Sequence, residues 1–237
     1  AWRRAASKAA IAGGALTGAF LFAGFLLQTA GLRSTTPAKS AFITGLAIPL
    51  VPVFGAIFER KAPRLIEVLG VAIATAGLAL MTLRAVPFAI GRGDLLTMGC
   101  AVAFALHILS MGHYAPKLGF QALALIQIAT AAAIALAAFW WAERPTLTLS
   151  FPVLAAVAVT GLLATALAFS VQAWAQQFTT STRTALVFAA EPVFAWMTSF
   201  ALAGELLSLR AALGAALILS GILIVELKPF SNVRPPA

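Results

Sequence analysis

A carboxylate sits inside an apolar stretch of this chain. The segment from Thr179 to Glu205 is apolar and long enough to cross a bilayer, yet Glu191 lies near its middle and Pro192 follows directly. In hydrocarbon a mid-span carboxylate costs roughly 2.5–3.5 kcal/mol on insertion scales. A span that keeps both a charge and a helix breaker is expected to face a cavity or a protein interior. There the carboxylate can bind an amine or exchange a proton; the plainer alternative is an inward polar contact that fixes helix packing. Lys39 and Arg183 form a second pair of interest. Each falls in the first turn of an apolar segment, where the helix dipole disfavours a cation. An anionic solute group or a facing carboxylate would offset that, and snorkelling to headgroups is the structural alternative. His107 lies mid-span, with Gln28, Gln127 and Gln172 at comparable depths. These can hydrogen-bond a solute or bond between helices. Trp174 and Trp196 can wall a cavity or pack in lipid. Pro49, Pro52 and Pro192 each remove a backbone donor, freeing the carbonyls of Gly45, Ile48 and Phe188, and mark hinge points or plain kinks.

The elements that must position these residues are membrane helices. Hydrophobic residues make up 62% of the chain, charged residues only 10%, and mean hydropathy is +0.99. Soluble domains have about 25% charged residues, so these values exclude a water-soluble globule. The net charge of +9 is scattered among polar breaks rather than gathered in a stripe, which argues against nucleic acid and for membrane lipid as the partner of the basic residues. The single Cys100 excludes an internal disulfide framework. Two histidines, Cys100 and a lone Asp94 supply no ligand-spaced metal set, no nucleophile with a base and no acidic pair, so an enzyme, a metal site or a cofactor is not expected. No nucleotide-binding signature appears.

Charged residues punctuate eight apolar segments, each near the 20 or so residues a span needs. The second is expected over about 39–58, the sixth over about 152–175 and the seventh over about 182–203. Phe139-Trp140-Trp141 forms an aromatic belt at the end of the fifth. Basic residues favour one side, holding Arg3, Arg4, Lys8, Arg60, Lys61, Arg64, Lys117, Arg183, Lys228 and Arg234, over the side holding Arg33, Lys39, Arg84, Arg92, Arg144 and Arg210. The bias predicts cytoplasmic termini in a multi-pass protein of the cytoplasmic (inner) membrane.

The chain also repeats itself. Thr35-Thr36-x-x-Lys39-x-Ala41 recurs as Thr179-Thr180-x-x-Arg183-x-Ala185, 144 positions later, and Gly70 and Gly77 recur at the same offset as Gly214 and Gly221. Glu59 matches Glu205 with a two-residue slip, both read as local caps or pairing partners, and Pro49 and Pro192 fall at nearly equal depths. The four glycines are read as sites of close helix contact. The copies lie five spans apart, an odd number, so they cross the membrane in opposite directions: an inverted-topology repeat. A five-helix repeat implies ten helices. Eight spans and a first residue other than Met lead to the expectation that the first copy lacks its first two. The expected organisation is a partial first repeat of three helices over 1–88, a five-helix second repeat over 89–228 and a cytoplasmic tail over 229–237.

Three stretches carry a family resemblance: Thr35 to Leu46 continuing through Pro52 to Glu59-Arg60; Gly93-Asp94-Leu95-Leu96 with Phe104-Ala105-Leu106-His107-Ile108; and Glu191-Pro192 through Glu205 to Gly214 and Gly221. In order and spacing they resemble the EamA family of the drug/metabolite transporter superfamily. The resemblance implies an all-α polytopic bundle of ten helices in two inverted five-helix repeats, both termini cytoplasmic, of which this chain would hold helices three to ten. It also implies that helices four and nine, here about 39–58 and 182–203, line a central cavity, and that members export or exchange small solutes. The function expected is therefore a secondary transporter, exporter or exchanger, of a small polar metabolite by alternating access. Lys39, Arg183, Glu191, His107, Gln127 and Trp174 are its candidate solute contacts, Pro49, Pro52 and Pro192 its hinges, and proton or counter-solute coupling and a homodimer are compatible with it. A membrane scaffold or assembly subunit without translocation is the alternative.

Overall fold

The structure is a computed structural model; it describes residues 8–58, 60, 62–83, 90–142, 150–204, 206 and 208–227. Glu59, Glu205, the 229–237 tail, and the side chains of Trp140 and Trp141 in the expected aromatic belt lie outside the described residues.

The described elements are helices: α1 (Lys8–Leu32), α2 (Pro37–Gly45), α3 (Ala47–Phe58), α4 (Leu65–Thr82), α5 (Arg92–Leu118), α6 (Phe120–Ala142), α7 (Phe151–Ala158), a π-helical segment (Val159–Leu167), α8 (Ala168–Ala175), α9 (Ser181–Phe188), α10 (Glu191–Ala203) and α11 (Leu209–Glu226). They assemble into eight helices long and apolar enough to cross a membrane, two of which, 37–58 and 181–202, are broken in the middle. The all-α multi-pass architecture expected from hydropathy is the one observed.

The breaks follow from proline. Pro49 cannot donate to Gly45 O, and α2 ends at Gly45; Pro192 cannot donate to Phe188 O, and α9 ends at Phe188. The remaining donors near each break form tighter three-residue bonds: Leu46 N to Ile43 O at 3.1 Å, and Ala189 N to Leu186 O at 3.1 Å. Pro52 behaves differently, because α3 runs through it without interruption.

Three apolar clusters hold the bundle together. One joins α3, α4, α9, α10 and α11 through Ile48, Leu78, Leu186, Val193 and Ile218; a second joins α3, α5 and α9 through Ala47, Val51, Ala105 and Ala185; a third joins α5, α6 and α8 through Met111, Leu123 and Ala173. The broken spans therefore meet: α3 packs on α9. α1 buries Gly13, Gly14, Gly18 and Gly24 as it runs along α5 and α6.

The most extensive helix pairing is α4 with α11, and it is where the repeat becomes visible in space. An ideal Cβ on Gly70 would come within 2.8 Å of Gly221 O, and one on Gly221 within 2.6 Å of Gly70 O; Gly77 and Gly214 are related in the same reciprocal way, at 2.6 Å each. Residues equivalent in sequence thus exchange places across the seam, which is the signature of a two-fold relation between the copies. Only glycine allows this backbone approach.

The outer wall is uneven. The sixth span, α7 to α8, contributes no buried residue to its most apolar window, and α10 packs extensively on no other element.

Candidate functional site

The two copies of the Thr-Thr-x-x-Lys/Arg motif fold alike. Thr36 caps α2 by accepting from Lys39 N at 3.3 Å, and Thr180 caps α9 by accepting from Arg183 N at 3.3 Å. Beyond the cap they diverge. Lys39 Nζ donates to Asp94 Oδ2 at 2.6 Å, Thr35 donates to Asp94 Oδ1, and Gly91 N donates to Asp94 Oδ2 at 2.9 Å. Asp94 is buried, so this is a closed charge pair joining α2 to the first turn of α5. Arg183, also buried, donates through Nη2 to Val225 O at 3.4 Å and lies 3.6 Å from Glu226 Oε2. These contacts are longer than the 2.7–2.9 Å of a tight charge-assisted bond.

Two cavities open around Arg183. The smaller, about 290 Å³, lies between the end of α3 (Pro52, Gly55), the start of α4 (Arg64, Glu67), α5 (Leu109, Gly112) and Thr179 to Arg183. The larger, about 470 Å³, lies between the sixth span (Leu163, Leu167, Ala168, Val171, Gln172), α9 (Thr184, Val187, Phe188) and Glu226. Thr179 and Arg183 line both.

The other candidates fall in different places. His107 Nε2 pairs with Gln127 Oε1 at 2.9 Å, with both side chains buried and Phe169 edge-on to the imidazole at a 5.4 Å centroid distance. Neither residue lines either cavity, and Gln127 Nε2 is buried without a partner. The structure thus brings His107 and Gln127 to each other, between α5 and α6. Trp174 is 51% exposed, stacks edge-on with Phe178 and reaches neither cavity; Lys39 reaches neither as well. Glu191 opens α10 beyond Val187 and Phe188. Its side chain is exposed and has no hydrogen bond or ion pair among the described residues.

Several site residues escape a reading by residue type. Asp94 looks alone in the sequence, and only the packing of α2 on α5 gives it Lys39. Gln172 Nε2 donates to Gln176 Oε1 at 2.9 Å, and Gln176 Nε2 donates to Ile108 O at 3.0 Å, which Ser181 Oγ also reaches at 3.4 Å. Gln172 Oε1 is left buried and unpartnered at the wall of the larger cavity. The only local signal was an amide in an apolar span, which Gln28 shares. Among the described residues no group of three His, Cys, Asp or Glu side chains is placed to hold a metal ion.

A solved crystal structure of a protein superposes on this fold with a TM-score of 0.78, over 96% of this chain and 79% of that one, at 20% sequence identity. A curated relative, described as an uncharacterized transporter of Archaeoglobus fulgidus, is 30% identical over 207 residues, which is 87% of this chain and 66% of that protein. The EamA-like transporter family model matches residues 2–83 and 91–227. With two inverted copies, paired broken spans and a family model matched along nearly its whole length, the chain belongs to the EamA-like transporter family.

Proposed function

We propose that the protein is a secondary transporter, an exporter or exchanger, that moves a small polar metabolite across the cytoplasmic membrane by alternating access. One observation supports this above the others. Two oppositely directed spans, each broken at a proline-freed carbonyl, pack against each other, and cavities with charged and hydroxyl side chains open beside the second of them. Broken spans leave unpaired backbone groups that lipid cannot satisfy, so they belong beside water or a solute. With both termini cytoplasmic, the Arg183 end faces the cytoplasm and the Lys39–Asp94 end faces outward. In this reading the closed pair is structural, joining α2 to α5, and Arg183 and Glu191 meet the solute or a coupling proton. The relatedness to a transporter favours transport over catalysis.

Flux in proteoliposomes of the full-length protein tests it. Counterflow of labelled metabolite pools is expected with the wild type. Glu191→Gln is expected to abolish flux or remove its pH dependence. Flux with unchanged pH dependence removes Glu191 from the mechanism, and no flux for any solute pool, with the protein folded, removes the transport reading.

A further inference from the structure

We propose that the larger cavity recognises an uncharged, apolar-bodied part of the solute that presents an N–H or O–H, and that Gln172 is the residue that receives this donor. This rests on the transport reading above and names the chemistry of what is moved. Leu163, Leu167, Val171, Val187 and Phe188 make much of the wall of this space of about 470 Å³. The two charged groups that line it, Arg183 and Glu226, lie 3.6 Å apart and offset each other. Apolar walls with offset charges favour an uncharged occupant, so the other polar groups decide what it must carry.

The direction of the Gln172 amide is set from outside the cavity. Ile108 O is a carbonyl and can only accept, so Gln176, which meets it at 3.0 Å, must present Nε2 there. That turns Gln176 Oε1 toward Gln172, which answers with its own Nε2 at 2.9 Å. Reversing either amide would set two oxygens against each other in a place where both side chains are buried. Gln172 Oε1 is what remains: a buried acceptor without a partner, on a side chain that forms part of the cavity wall and is only 6% exposed. The relay from Ile108 through Gln176 thus fixes the wall as an acceptor.

A neighbouring hydroxyl agrees. Thr184 lines the same cavity and donates its proton to Thr180 O at 3.2 Å, so it too offers lone pairs. Oε1 is shielded behind the wall, and a small turn of its own side chain presents it to a donor in the cavity. Shielding from water strengthens the bond that a donor makes there. A site of this kind rejects an analogue whose donor is methylated, because the buried oxygen then stays without a bond. Gln127 Nε2 is also buried and unpartnered, but Gln127 lines neither cavity and takes no such role.

Protection of a thiol tests this with simple probes. In the full-length protein, Val187→Cys places a thiol in the larger cavity, and native Cys100, fully buried, is the unreactive background. Labelling by a methanethiosulfonate is timed with phenol or anisole present, and with aniline or N,N-dimethylaniline present. The first of each pair bears a donor; in the second it is methylated. Phenol or aniline is expected to protect at a concentration about fivefold lower than its methylated partner, roughly what one hydrogen bond supplies. Partition into an apolar wall or micelle alone gives the opposite order, since the methylated probes are the more apolar. A preference in the phenol pair alone assigns an O–H to the solute, and one in the aniline pair alone an N–H. Gln172→Met, a chain of similar length, should bring the ratio to one while anisole still protects. Equal protection within both pairs, protection by none of the four probes, or a preference that survives Gln172→Met overturns the assignment, and the first two comparisons decide even where that variant does not fold. Labelling needs no turnover, so donor-selective protection in a protein that moves no solute counts against the transport reading alone.

Discussion

Replacing Gly77 by alanine adds one methyl group at the point where the two copies touch. Its Cβ would lie 2.6 Å from Gly214 O, 2.8 Å from Ile218 N and 2.9 Å from Leu217 Cβ, and ordinary contact begins at 3.4 Å. Two of the three obstacles are backbone atoms, so no rotamer relieves them. The α4 and α11 axes must part by about 0.8 Å, the difference between 3.4 and 2.6 Å. Overpacking of this kind costs about 1–3 kcal/mol. Alanine also gains about 1 kcal/mol over glycine in helix propensity, so the comparison is best made with a glycine that has room. Gly55, inside α3, meets only Leu109 Cδ2 at 3.6 Å, and Gly55→Ala carries the propensity gain without the clash. Gly77→Ala should therefore unfold more easily than Gly55→Ala by about 1–3 kcal/mol, read by circular dichroism as sodium dodecyl sulfate is titrated into mixed micelles. Gly77→Ala/Gly214→Ala should cost less than the sum of the single changes, because one separation accommodates both methyl groups. If the Gly77 and Gly55 variants unfold within about 0.5 kcal/mol of each other, α4 and α11 do not meet through their backbones, and the two-fold seam is refuted.

Two other perturbations probe the buried polar contacts by the same unfolding titration. Asp94→Ala removes a contact from Lys39, Thr35 and Gly91 N at once and should cost about 3–5 kcal/mol, while Lys39→Met/Asp94→Leu should restore at least half of that, since an apolar pair replaces a buried ionic one at small cost. His107→Phe leaves Gln127, fully buried, without its one bond and should cost about 1–3 kcal/mol, most of which Gln127→Leu should recover; no recovery would mean that the imidazole acts by packing against Phe169.

Much of this architecture was legible because hydrocarbon imposes simple rules. Span ends expected at 152–175 and 182–203 appear at Phe151–Ala175 and, across one break, Ser181–Ala203, because charged and polar residues are costly deep in hydrocarbon and gather at the ends of apolar spans. The breaks at Gly45 and Phe188 were legible because proline acts on a fixed neighbour, the carbonyl four residues before it. Pro52 frees the carbonyl of Ile48 by the same rule, yet the helix α3 runs on through it. Partnerships across space were not legible. The Lys39–Asp94 pair spans fifty-five positions, and nothing local distinguishes Asp94 from a headgroup-facing acid. The face each residue presents was equally hidden: Trp174 turns outward and Gln172, two positions earlier, turns in, although both lie in one uniformly apolar span. The π-helical run was unforeseen as well. There Ala168 N donates back five residues to Leu163 O, and Thr165 Oγ1 donates to Thr160 O, geometry that apolar periodicity does not encode.

The repeat also explains why Glu191 stands out. The prolines that break the two spans, Pro49 and Pro192, set Glu191 opposite Ile48, which is buried in the cluster that joins α3 to α4, α9, α10 and α11. In the first copy this position is apolar and buried. In the second copy the equivalent position holds a carboxylate that no described residue engages. If the position served packing alone, the residue that the first copy uses would serve the second equally well, without the roughly 2.5–3.5 kcal/mol that a mid-span carboxylate costs. We therefore propose that Glu191 has a task in transport that Ile48 lacks, and Glu191→Ile tests it: flux and pH dependence like those of the wild type in that variant would refute the proposal.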